Sequence, residues 1–157
     1  MSTPHLPPDS AVPPTPRGVV PLGIDLGVVA GQRVVLLSLE VWEGWADLRF
    51  ARVDVGATQR LTRRVPPVEA WSVTADDEPL QIFDAVGRGD RTFSNGEVRL
   101  VPAPALDAAL RVSVEVVPGQ PPLTTGVTLF DDGLDETVSP TVSGANERPD
   151  DGSSRRR

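Results

Sequence analysis

Between Gly18 and Val116, apolar side chains recur at every second position in short runs, the spacing that gathers them on one face of a β-strand. Val35, Leu37, Leu39 and Val41 share one phase, with Ser38 and Glu40 opposite. Gly44 marks a turn, and the next run turns Ala46, Leu48 and Phe50 inward and Asp47 and Arg49 outward. After Ala51 the apolar phase passes to Val53 and Val55. A one-residue slip exchanges the two faces, so a bulge or a strand end is predicted near Ala51-Arg52. Beyond a proline-containing connection over 56–69, Trp71, Val73 and Ala75 alternate with Ser72 and Thr74. Asp76-Asp77-Glu78-Pro79 reads as a turn ahead of Leu80 and Ile82. The stretch 87–90 reads as a loop, and Asn95-Gly96 predicts a hairpin between 91–94 and 97–101, with Val98 and Leu100 inward. A last clear strand faces Leu110, Val112, Val114 and Val116 inward.

The window 18–39 is the most apolar in the chain, but Pro21, Asp25, Gly27, Gly31, Gln32 and Arg33 interrupt it. A membrane helix needs about 20 mainly apolar residues, so this window reads as two strands around a turn. The best helical stretch, 103–110, is confined to one turn by Pro102 and Pro104. The expected fold is therefore all-β, an antiparallel sandwich over residues 17–118. Residues 1–16 hold six prolines and few aliphatic side chains, and read as a disordered arm. Residues 119–157 read as an acidic, largely disordered tail, in which 126–130 either adds a last edge strand or stays outside the sheet.

Composition narrows the chemistry. The 157 residues carry 15 basic and 22 acidic side chains, a net charge of −7, and a pI near 4.6. A phosphate backbone is repelled overall, so no nucleic acid is expected as a partner. All the cations are arginine, since lysine is absent, as are cysteine and tyrosine. Schiff-base, thiolate and phenolic chemistry are thereby excluded. The single histidine, His5, lies among prolines. No enzyme activity, metal or cofactor is expected on these grounds. Residues 1–16 have neither a basic n-region nor an apolar run, so the cytoplasm is the expected location, with no membrane association.

A set of segments then stands out together: Val-Val-Pro-Leu-Gly (19–23), Gly31, Leu-Ser-Leu-Glu-Val-Trp (37–42), Trp-Ser-Val-Thr-Ala-Asp-Asp (71–77), Gly-Glu-Val-Arg-Leu-Val-Pro-Ala-Pro (96–104) and Leu-Arg-Val-Ser-Val (110–114). Their ordering resembles small, uncharacterised β-sandwich proteins of high-GC actinobacteria, over about residues 18–118. The resemblance implies an immunoglobulin-like arrangement of about seven strands, and no mechanism. In those proteins the Asp-Asp turn is often followed by Gly-Thr and an aromatic. Here Glu78-Pro79-Leu80 follows, which implies a differently shaped turn.

The candidate binding residues are few. By parity Trp42 and Trp45 point outward at one hairpin end. There they form a stacking platform for a sugar ring or a proline, or they staple the hairpin and pack under residues 18–27. Trp71 lies on an inward phase and reads as core. Arg60, Arg63 and Arg64 make a local positive patch, suited to a phosphate or acidic peptide or simply solvated. The acidic groups Asp76-Asp77-Glu78 and Asp131-Asp132 with Asp135-Glu136 lack the spacing of a calcium loop. Arg88-Gly89-Asp90 is read as a chance tripeptide. The expectation is a non-catalytic protein-interaction module with an unidentified protein partner, using the Trp42/Trp45 hairpin end, an exposed sheet edge or the proline-rich arms. The alternative is a carbohydrate or small-ligand binding module using the Trp42/Trp45 hairpin end.

Overall fold

Alternation of apolar and polar positions produces strands, and strands with one greasy face must cover that face with another sheet. In the computed structural model, which describes residues 15–56 and 65–129, they do so as two antiparallel sheets. The five-stranded sheet runs in the order β1 (Gly18–Val29), β2 (Gln32–Val41), β3 (Ala46–Asp54), β7 (Phe93–Val101), β6 (Gln81–Gly89). The four-stranded sheet runs β5 (Glu78–Pro79), β4 (Trp71–Ala75), β8 (Ala109–Val114), β9 (Leu123–Thr128), and a 3₁₀ turn at Val68–Ala70 leads into β4. Lettered A to G from β2, with β5 as C′, the sheets read A-B-E-D and C′-C-F-G. That is the immunoglobulin-type strand order, extended at one edge by β1.

The two inner faces meet on a shared core. Val34, Leu36, Leu39, Leu48, Phe50, Val98 and Leu100 from one sheet face Trp71, Val73, Leu110, Val112 and Val114 from the other. Phe50 and Trp71 sit 4.9 Å apart, ring to ring, and the Trp71 indole N–H donates to the Pro66 carbonyl at 3.3 Å. Trp71 is thus a core residue with its polar end satisfied. The tight turns follow from residues that tolerate left-handed backbone. Ala30-Gly31 joins β1 to β2 with φ of 47° and 79°, and Asp76-Asp77 joins β4 to β5 with φ of 48° and 67°. The Asp76 carboxylate also accepts the Ala109 N–H at 2.9 Å, tying that turn to β8.

The structure corrects several expectations about phase and turns. In β2 the inward residues are Val34 and Leu36, then Leu39 and Val41, while Leu37 is exposed. Pairing with β3 jumps from Leu36 to Ser38, so Leu37 is the extra residue of a bulge and the phase changes across it. In β3 no slip occurs at Ala51-Arg52; the register with β7 is continuous from Ala46 to Val53. The inward phase simply continues onto Arg52, which is 1% exposed, while Val53 is half-buried and Val55 exposed. Nor is Asn95-Gly96 a turn: both residues lie inside β7, between β3 and β6. The stretch read as a loop at 87–90 is strand as far as Gly89. The reversal sits at 90–92 instead, where the Asp90 carboxylate accepts from Thr92 N–H (2.8 Å), Thr92 Oγ1 (2.7 Å) and Phe93 N–H (2.9 Å). Arg88-Gly89-Asp90 is therefore a strand end and its turn. The last edge strand does form, at Leu123–Thr128, paired with β8. The rest of the predicted arms, 1–14 and 130–157, lies outside the described residues.

Arg52 is buried because acceptors surround it. Its Nε donates to Ser94 Oγ at 3.0 Å, one Nη to the Gln32 side-chain oxygen, and the other to the Asp90 carbonyl at 3.0 Å. Burial lowers the pKa of the guanidinium, and the Asp54 and Asp90 charges oppose that shift.

Two substitutions test these assignments by urea unfolding. Arg52→Met leaves Gln32, Ser94 and main-chain carbonyls without their donor, and is expected to cost about 3 kcal/mol. In Gly96→Ala the new methyl would lie 2.2 Å from the Val86 carbonyl oxygen and 3.0 Å from the Phe50 ring. A loss of about 1–3 kcal/mol is expected, and no loss would return Asn95-Gly96 to a turn.

Candidate interaction surface

The outward positions of the five-stranded sheet line up in rungs across its strands. One rung is Glu40, Asp47, Arg99 and Asp84; the next is Ser38, Arg49, Glu97 and Val86; a third holds Ala51, Asn95 and Arg88. Arg99 thus stands between Asp47 and Asp84, and Arg49 faces Glu97, while Glu40 and Asp47 set two acids side by side. The strongest pair is Arg99 with Asp47, a two-pronged contact with Nε–Oδ1 at 2.8 Å and Nη2–Oδ2 at 3.0 Å. The hydrogen bond to Asp47 holds the Arg99 pKa above its ordinary value, with burial opposing. Asp47, expected outward, does lie on the outer face but is only 4% exposed, being covered by its partner. Arg49 lies between Glu40 (2.8 Å) and Glu97 (3.7 Å), a half-exposed contact that contributes little to stability.

The two outward tryptophans meet at the β2–β3 hairpin. Its turn residues are Glu43 and Gly44, the latter at φ 91°, and the Trp42 N–H donates to the Trp45 carbonyl at 2.8 Å. The turn brings the indoles into a parallel stack, with centroids 5.7 Å apart and planes 9° apart. The Arg99 guanidinium carbon lies 5.4 Å from the Trp45 ring centre. Trp42, Trp45, Arg99 and Asp47 thus form one contact chain across the sheet end. The rings spend faces on each other, as a hairpin staple does, and both indole N–H groups are covered without an acceptor.

A groove of about 300 Å³ lies farther along the same face, between the exposed side chains of Leu37 and Val86, with Arg49, Arg88, Asn95 and Glu97 around it. Strict alternation does not reveal it. Leu37 counts as inward under strict period 2, and Val86 lies beside a stretch read as loop. One signal was present: Val34-Val35-Leu36-Leu37 is a run of four apolar residues that a single phase cannot accommodate. Among the sequence candidates, Trp42 and Trp45 are brought together, whereas Arg60, Arg63 and Arg64 lie outside the described residues. Among the described residues no three His, Cys, Asp or Glu side chains are grouped so as to hold a metal ion, and no helix is long and apolar enough to cross a membrane. Comparison with family models, curated protein sequences and solved structures finds no match.

Asp47→Ala removes the carboxylate that holds Arg99 against Trp45. The expected result is a loss of about 1–2 kcal/mol in unfolding free energy together with a shift of tryptophan emission. Unchanged emission would mean that Arg99 keeps its place by packing alone.

Proposed function

We propose that this domain is a non-catalytic protein-interaction module that works through the outer face of its five-stranded sheet. The observation that carries the reading is the groove between Leu37 and Val86. It sets two exposed aliphatic side chains among Arg49, Arg88, Asn95 and Glu97. Apolar contacts ringed by charged and amide groups are the anatomy of a protein-recognition patch. The bulge at Leu37 has an evident use on this reading, since it moves a leucine from the dry face to the wet one. The composition agrees: a surface that only presents contacts has no need of the lysine, cysteine and tyrosine that the chain lacks.

A photo-crosslinking residue placed at Leu37 tests the reading in native lysate. A discrete adduct is expected at this position and not at Arg111, exposed on the other sheet. Val86→Asp is expected to weaken that adduct about tenfold, and equal labelling at both positions would overturn the reading. The carbohydrate alternative is read separately from tryptophan emission. No saturable change is expected across a panel of oligosaccharides, and a saturable shift lost in Trp42→Ala would transfer the function to that alternative.

A further inference from the structure

Four strands stand at sheet edges: β1, β6, β5 and β9. β1 and β9 lie against each other where the two sheets close on one side. β5 is two residues long and ends in Pro79, which has no N–H to offer. β6 differs from all three. It is nine residues long, none of them buried, with Phe83 and Val86 both exposed. Gly89 at its end already has a partner; from Asp84 to Arg88, beyond the bulge at Phe83, the edge presents main-chain donors and acceptors to another strand.

The outward residues of β6 opposite β7 are Asp84, Val86 and Arg88, two opposite charges placed symmetrically about a valine. We propose that β6 pairs antiparallel with β6 of a second copy of this chain, about a two-fold axis at Val86, so that the two five-stranded sheets become continuous. A two-fold contact is self-complementary, so each residue must suit its own symmetry mate. With the axis at Val86, Asp84 of each copy faces Arg88 of the other, and the two valines meet between them. Other registers fail this condition. An axis at Ala85 sets Asp84 against Val86 and leaves the charges unmatched. One at Gly87 sets Asp84 against Asp90. Axes at Asp84 or Arg88 set like charges face to face, which is destabilising. Both groups are exposed: Asp84 accepts the Ala85 N–H at 2.8 Å and stands opposite Arg99, whose guanidinium is held by Asp47, and Arg88 makes no ion pair among the described residues. The occupant is therefore a second copy, selected by charge complementarity; Val86 and Arg88 also line the groove, but the pairing does not require that the groove bind a partner.

Sedimentation velocity on the full chain tests it, from about 1 µM to about 300 µM. A concentration-dependent dimer is expected. Arg88→Asp puts like charges across the axis and is expected to raise the dissociation constant at least about tenfold. The double reversal Asp84→Arg with Arg88→Asp restores opposite charges and should return it to within about threefold of the original. Because that variant carries the same substitution, its recovery separates lost pairing from lost folding. The chain has no cysteine, which permits a second reading. Val86→Cys lies on the axis, where facing Cα atoms are about 4.5–5.5 Å apart, within disulfide reach. Mild oxidation should yield a covalent dimer there and not with Val19→Cys on β1. A monomer at every concentration, a dimer indifferent to Arg88→Asp, failure of the double reversal, or equal crosslinking at 19 and 86 would each overturn the proposal.

Discussion

A guanidinium buried on the inner face of a β-sheet has five N–H donors that must find acceptors within the protein. At Arg52 the partners come from separate pieces of chain: Gln32 at the start of β2, Ser94 in β7, and the carbonyls of Asp90 and Arg91 in the turn before it. These contacts pin one end of the five-stranded sheet. They fix where β6 stops and β7 begins, because the turn that reverses the chain is also an acceptor for the buried charge. With that turn held, the register of β6 on β7 follows, and so does every side chain that β6 presents to solvent. The surface argued to carry function is therefore set by an interior polar contact.

Between the sheets the physics is different. Apolar side chains from both inner faces exclude water, and Phe50 against Trp71 joins the sheets near the middle. Close packing of neighbouring strands depends there on Gly87 and Gly96, which face each other across β6 and β7. A methyl on either would meet backbone atoms at 2.6 Å or less. The outer face of the same sheet is wet and carries charges of both signs. Its one nearly covered ion pair, Asp47 with Arg99, is shielded by the guanidinium itself and adjoins the stacked indoles.

Much of the fold was legible in the chain. The alternation in Trp71–Ala75 and Leu110–Val116 named the correct inward residues, because those strands follow a plain period of two. The turn at Asp76-Asp77 was legible too, since aspartate tolerates left-handed backbone. The errors cluster where one local signal has two physical uses. Glycine after asparagine marks a hairpin turn, but glycine also permits strands to approach closely, and at Gly96 the second use prevails. An arginine in an apolar phase suggests a slip, yet at Arg52 the phase held and the cation was taken inside. Of the candidate surface, the tryptophan hairpin was legible and the groove was not, since Leu37 reached the outer face only through the bulge.

By itself, the order of residues determined the class of the protein. Period-2 patterning, turn residues and prolines dictate an antiparallel sandwich, and the missing lysine, cysteine and tyrosine restrict its chemistry. These are local or compositional properties, decided within a few residues of each position. Only the folded arrangement decided which acceptors surround Arg52, where β2 bulges, and which strand is left at the edge with Asp84 and Arg88 flanking Val86. Those outcomes depend on residues distant in the chain meeting in space, and the spacing of side chains along one strand carries no record of its neighbours.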